Sequence, residues 1–108
     1  MITYEDFAKV EIKVGQIVSS EKIPETDKLL RLVVNFGEEA PRQIVSGISL
    51  YFPNPAVLVG KKAMFVTNLE PRTIRGFESN GMLFAVSTDS AFSLLETSQD
   101  IPVGTKAK

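Results

Sequence analysis

The spacing of apolar and polar positions changes several times along the chain, and each change marks an element. Thr3-Tyr4-Glu5-Asp6 has the form of a capping box, with Thr3 as N-cap and Asp6 three positions on. It predicts a short helix with Tyr4, Phe7 and Ala8 on one face. From Val10 the period becomes two. Val10, Ile12 and Val14 alternate with Glu11, Lys13 and Gly15, the pattern of a half-buried strand. Gly15 predicts a bulge or tight bend, after which Ile17 and Val18 resume the strand. Ile23 to Lys28 has turn composition, and Leu29 to Asn35 is a second strand closed by Asn35-Phe36-Gly37-Glu38. Gln43 to Gly47 is a short third strand. Ser49 to Val59, with Pro53 and Pro55, is irregular apart from a helical turn near Ala56. Lys61 to Asn68 is a fourth strand, Pro71 to Ser79 a loop, and Gly81 to Ser87 a buried fifth strand. Leu94-Leu95 and Ile101-Pro102-Val103-Gly104 supply short edge pairings and a tail.

Five short strands, glycines at strand ends and little helix predict an all-β fold, a small closed or partly open barrel. A five-stranded Greek-key barrel of the oligonucleotide/oligosaccharide-binding (OB) type fits the count, with a short N-terminal helix and a C-terminal extension. An SH3-like barrel or a small sandwich fits the pattern equally well. The 108 residues predict one domain, with a core from about residue 6 to 108. Composition then narrows the chemistry. There are no cysteines and no histidines, which excludes thiolate nucleophiles, zinc knuckles, Ser-His-Asp triads and His-ligated metals. Glu5-Asp6 and Glu38-Glu39 lack the apolar surroundings that would raise a carboxyl pKa, so they are solvated surface and not acid/base pairs. No cofactor and no metal is expected. No apolar run approaches the ~20 residues of a membrane span and no signal segment follows Met1, which predicts a cytoplasmic protein with no membrane partner.

Charge alters the picture by its distribution. The net charge is −1, ordinarily a point against nucleic acid. Yet residues 28–76 hold seven basic and three acidic side chains, a local +4, while the remainder carries −5. A local basic face is compatible with that division, and so is an ordinary solvated surface.

Asp6-Phe7, Lys13-Val14-Gly15-Gln16-Ile17-Val18, Pro24 and Asp27-Lys28-Leu29-Leu30-Arg31-Leu32 follow one another in an order that resembles the tRNA-binding domain family. The match continues through Arg42-Gln43-Ile44-Val45-Ser46-Gly47-Ile48, Tyr51, Leu58-Val59-Gly60-Lys61 and Asn68-Leu69-Glu70-Pro71. It closes with Arg75-Gly76, Ser79-Asn80-Gly81-Met82 and Pro102-Val103-Gly104-Thr105-Lys106. That family comprises domains appended to many bacterial methionyl-tRNA synthetases, free-standing tRNA-binding proteins and secretion-chaperone relatives. The resemblance implies an OB fold, tRNA binding without catalysis, a homodimer, and an aminoacyl-tRNA synthetase as a further partner. It equally leaves open a chaperone-like protein that binds peptides or preproteins. Thr73-Ile74 is more apolar than the lysine-rich versions, and the sequence pI is about 5.4.

In an OB barrel the second and third strands and the loops joining strands one to two and four to five meet the ligand. The resemblance therefore implies that Lys28, Arg31, Arg72 and Arg75 contact phosphates, against the bland reading that surface cations occur everywhere. Arg42 either reaches the same face or pairs with Glu38 or Glu39 across the turn. Lys61 and Lys62 face opposite ways, so at most one shares a ligand face. The resemblance also implies RNA contact by Asn68, Ser79 and Met82; the alternative is that Met82 is core and Ser79-Asn80 its turn. Phe65 and Phe84 fall in strand patterns, whereas Phe36, Phe52 and Phe77 lie near turns, with Phe77 the best candidate to stack a base. There is no tryptophan, which favours recognition of a folded RNA by shape.

Overall fold

The computed structural model describes residues 1–108. The N-cap bond of the predicted capping box forms: Thr3 Oγ1 accepts from the Asp6 amide at 3.1 Å and starts α1 (Tyr4–Ala8). No residue of this helix is buried, and Tyr4 and Phe7 stand in solvent. The strands are β1 (Ile12–Lys22), β2 (Leu30–Asn35), β3 (Arg42–Ser46), β4 (Lys62–Val66), β5 (Arg72–Ile74), β6 (Phe77–Ser79), β7 (Met82–Leu83), β8 (Ala85–Ser87) and β9 (Phe92–Leu94).

Five of them pair antiparallel in the order β3-β2-β1-β4-β7. The length of β1 makes this possible: Ile12–Gln16 pairs with β4, while Gln16–Lys22 pairs with β2. The two outer edges then approach each other. The Asn80 amide donates to Gln43 O at 2.9 Å, and the Val45 amide donates to Ser79 Oγ at 3.0 Å. The result is a nearly closed, OB-like five-stranded barrel, which removes the sandwich from the alternatives.

The bulge of β1 lies between Ile17 and Ser19, not at Gly15. Gly15 pairs regularly with Ala63. Its missing side chain serves close packing, since a Cβ there would lie 2.6 Å from both Phe36 Cε1 and Val34 Cγ1. Strand alternation supplies the core: Leu30, Leu32 and Val34 point inward from β2 and join Ile17, Ile44, Leu58, Ala63 and Phe65. Phe36, placed near a turn by the sequence, is buried with them, its ring edge-to-face on Phe65 at 5.2 Å.

Two further sequence expectations need correction. Residues 72–79 are a β-hairpin and not a loop. The fifth strand is broken at Phe84: β7 pairs with β4, whereas β8 turns away to pair with β9. Phe84 is consequently half-buried, its amide donating to Met64 O at 3.1 Å. The helical turn near Ala56 is present as a 3-10 turn, Pro55–Leu58, which buries Leu58. The C-terminal segment runs beside β1, the Gly104 amide donating to Val14 O at 2.8 Å and that of Ala107 to Ile12 O at 2.8 Å. No helix is long and apolar enough to cross a membrane.

Candidate nucleic-acid interface

The hairpin β5–β6 is closed by the pair Ile74–Phe77, leaving Arg75-Gly76 as a two-residue turn. Both turn residues have positive φ, 51° and 84°. This is the handedness of a type I′ turn, whose twist matches that of the strands it joins. Glycine adopts it freely; arginine does so at a cost, and its side chain is held out at the tip, exposed.

Facing it is the β1–β2 loop. Ile23 O accepts from the Thr26 amide at 3.3 Å and from Thr26 Oγ1 at 2.8 Å, closing a turn over Pro24-Glu25 in which Glu25 has φ 64°. Glu25 and Arg75 are the two non-glycine residues with positive φ. They line the same cleft of about 350 Å³ with Ile23, Pro24, Thr26 and Phe77. Arg75 also borders a second hollow of about 350 Å³ with Thr26, Asp27, Lys28 and Leu29. Backbone strain of this kind collects at binding sites.

Cations divide sharply here between engaged and free. The ion pairs take Lys9, Lys13, Arg31, Arg42 and Lys61. Lys62 Nζ donates to the carbonyls of Gln99 and Ile101 at 2.8 and 2.7 Å. Lys28, Arg72 and Arg75 are exposed and belong to none of these contacts. Lys22, which the sequence reading passed over, is also exposed and free where β1 enters the Ile23–Leu29 loop. Its strand position was the available signal, because it is the last residue before that loop.

The other predicted residues are placed differently. Arg31 Nε donates to Gln43 Oε1 at 2.6 Å and Nη1 to Glu21 Oε1 at 2.8 Å, while Gln43 Nε2 donates to Glu78 O at 2.8 Å. Arg31 thus braces the hairpin through Gln43. Arg42 makes the Glu38 pair, bidentate at 2.8 and 2.7 Å, and adds Nη1 bonds to Thr67 O at 2.6 Å and Asn80 O at 3.2 Å. Asn68 Oδ1 accepts from the Glu11 amide at 2.8 Å and Nδ2 donates to Lys9 O at 2.6 Å, tying the end of β4 to the N-terminal connection. The Ser79 hydroxyl is buried. It accepts from the Val45 amide and donates to Gly81 O at 3.3 Å, so its bonds lie within the barrel. Met82 is 45% exposed and is not core. It lines a groove of about 260 Å³ with Val45, Leu69, Arg72, Ile74 and Leu83. Phe77 is half-buried beside Arg75.

Two carboxylates are tuned by this scaffold. The Arg42 guanidinium holds Glu38 below the usual carboxylate value, with burial opposing it. The Thr67 hydroxyl, which donates to Glu11 Oε1 at 2.6 Å, lowers Glu11 likewise, with Lys13 adding to the effect.

Lys28 and Arg75 thus stand free beside the same hollow, while Lys106 and Lys108 are free at the C-terminal end, beside α1. Residues 12–106 match the family model described as "Putative tRNA binding domain", and the chain belongs to this tRNA-binding domain family. It is 50% identical over 107 residues to a methionine–tRNA ligase of Methanospirillum hungatei, covering 99% of this chain but 16% of that protein. The chain therefore spans a small part of the length of such curated relatives. Two solved structures match throughout. A MetRS-related protein from Pyrococcus horikoshii has a TM-score of 0.92 at 39% identity, covering 100% of this chain and 98% of the other. The chaperone CsaA from Bacillus anthracis has a TM-score of 0.87 at 28% identity, covering 100% and 99%.

Proposed function

We propose that this domain binds folded tRNA without catalysing any reaction on it, gripping backbone phosphates with Lys28, Arg72 and Arg75, with Lys22 beside them. The supporting observation is that these exposed cations have no partner of their own, that Lys28 and Arg75 line the clefts between residues 23–29 and the β5–β6 hairpin, and that Arg72 borders the groove beside Met82. Arginine offers phosphate a two-bond fork and lysine a point charge. Such contacts position the protein without reading sequence. With no tryptophan and one half-buried phenylalanine at the rim, recognition rests on shape. The domain would raise the tRNA affinity of an aminoacyl-tRNA synthetase, joined to it or separate, in the cytoplasm where charging occurs.

A homodimer fits the apolar surface at the chain's two ends. Tyr4, Phe7, Ala8 and Val10 line a hollow of about 290 Å³ with Lys106, Ala107 and Lys108, and α1 buries none of its residues within the chain. Light scattering at micromolar concentration should give twice the chain mass; a monomer removes this part of the proposal.

The mixed groove that Val45, Leu69, Ile74, Met82 and Leu83 line with Glu70 and Arg72 favours a second reading, capture of an extended peptide. A gel shift with total tRNA, challenged by duplex DNA, separates the two. Retention of tRNA under DNA excess supports the first reading. Loss of the tRNA complex, together with binding of a fluorescent apolar peptide, supports the second.

A further inference from the structure

We propose that Arg42 is a positioning residue: clasped by Glu38, it holds both feet of the chain segment that presents Arg72 and Arg75. This rests on the tRNA reading above and goes beyond it by assigning the site's geometry to a residue pair away from the rim. The segment leaves the barrel after β4 and returns before β7. One nitrogen, Arg42 Nη1, donates to the last carbonyl before the excursion, Thr67 O, and to the first carbonyl after β6, Asn80 O, at 2.6 and 3.2 Å. The guanidinium is fixed on its other side by the two-bond Glu38 contact, and the Phe36 ring lies 5.4 Å from its carbon.

A guanidinium in this setting is poorly suited to grip phosphate. Its charge is neutralised by Glu38, it is only partly exposed, and a phosphate would have to displace carboxylate and carbonyl partners together. Lysine could replace it only in part, because a point-like ammonium keeps the charge but lacks the planar fork that meets Glu38 and the carbonyls at once. The planar geometry instead couples the β2–β3 turn, where Glu38 sits, to the base of the hairpin.

Removing the Glu38 charge separates positioning from direct contact by sign. If Arg42 touched phosphate, Glu38→Gln would free a cation, remove a competing anion and tighten tRNA binding. If Arg42 positions the hairpin, Glu38→Gln loosens the clasp and weakens binding. Fluorescence anisotropy with labelled tRNA over a salt series should be measured for the unaltered chain, Glu38→Gln, Arg42→Lys, Arg42→Met and the Glu38→Gln/Arg42→Met pair. The expected result is a loss of roughly three- to tenfold for each single variant, least for Arg42→Lys, with the double variant no weaker than Arg42→Met, as for residues acting as a unit. The salt slope should stay that of the unaltered chain, because no phosphate contact is removed. Tighter binding by Glu38→Gln, or a slope lowered by about one in Arg42→Met, overturns the proposal in favour of direct contact. Unchanged affinity in all four variants overturns it outright. Should the unaltered chain not bind tRNA, amide hydrogen exchange decides independently. The clasp predicts faster exchange at residues 72–79 than at β2 in Glu38→Gln and Arg42→Met, and equal protection in the variants and the unaltered chain refutes it.

Discussion

Ser79 and Arg75 show how two polar residues of one hairpin serve opposite ends. Arg75 stands exposed on the turn, so its removal opens no cavity and breaks no internal bond. Ser79 is 5% exposed, and its hydroxyl is the acceptor for the Val45 amide, one of the bonds that nearly closes the barrel. Ser79→Ala strands a buried amide, at a cost of ~1–3 kcal/mol. Urea denaturation should register that loss, and tRNA affinity measured well below the melting temperature should change far less than in Arg75→Ala. A Ser79→Ala variant of unaltered stability and collapsed affinity would instead mark the hydroxyl as an RNA contact. Lys62, which the sequence places on the opposite strand face from Lys61, is held by the Gln99 and Ile101 carbonyls and anchors the C-terminal segment. It belongs to the fold.

Elements with strong period-two alternation were legible from the sequence, and those without it were not. β2 alternates Leu30, Leu32 and Val34 with Arg31, Val33 and Asn35, and the structure buries the first set completely. The Thr3 cap was legible because its bond is local. By contrast β5 and β6 have three residues each and carry Arg72, Thr73 and Glu78, so nothing in their hydrophobicity separates a hairpin from a loop. The Ile74–Phe77 pairing and the positive φ of Arg75 and Gly76 reveal the turn. The same limit hides the bonds of Arg31 and Asn68 and the carbonyl bonds of Arg42, whose partners lie 10 to 59 positions away, whereas the Arg42–Glu38 pair, four positions apart, is one of the readings the sequence offers. Lys28, Arg72 and Arg75 are legible in the sequence as candidate cations; that they alone among those candidates lack partners is not. Gly15 was marked as special for the wrong reason. Its regular pairing and the 2.6 Å approach of Phe36 and Val34 predict that Gly15→Ala overpacks the core, at ~1–3 kcal/mol. Chemical denaturation should show it, and a neutral substitution would mean that the Phe36 ring is free to move aside.

At the scale of the whole molecule, net charge conceals the distribution: the chain is at −1, yet Lys28 and Arg75 stand free beside one hollow while several acids are tied to other cations. The tied acids make acid sensitivity predictable. Glu38 and Glu11 sit below their ordinary value of 4.5, held there chiefly by Arg42 and by the Thr67 hydroxyl. A carboxylate lowered in the folded state stabilises it fully above the unfolded value, and this contribution disappears as pH falls through the folded value. The melting temperature should therefore hold near neutrality and decline below about pH 4.5. Glu11→Gln/Glu38→Gln should start lower at neutral pH and decline less steeply; parallel curves would contradict these assignments.

The central claim is that a few free cations on the barrel rim grip tRNA phosphates, and the salt dependence of binding tests it most directly. Anisotropy titrations of labelled tRNA from low to physiological ionic strength should give a shallow linear fall of log affinity with log salt, since few phosphates are neutralised. Arg75→Ala should bind all tRNAs more weakly and lower the slope by about one unit, with its melting temperature unchanged. An affinity indifferent to salt, or an Arg75→Ala variant that binds like the unaltered chain, would place the interface on another face of the barrel.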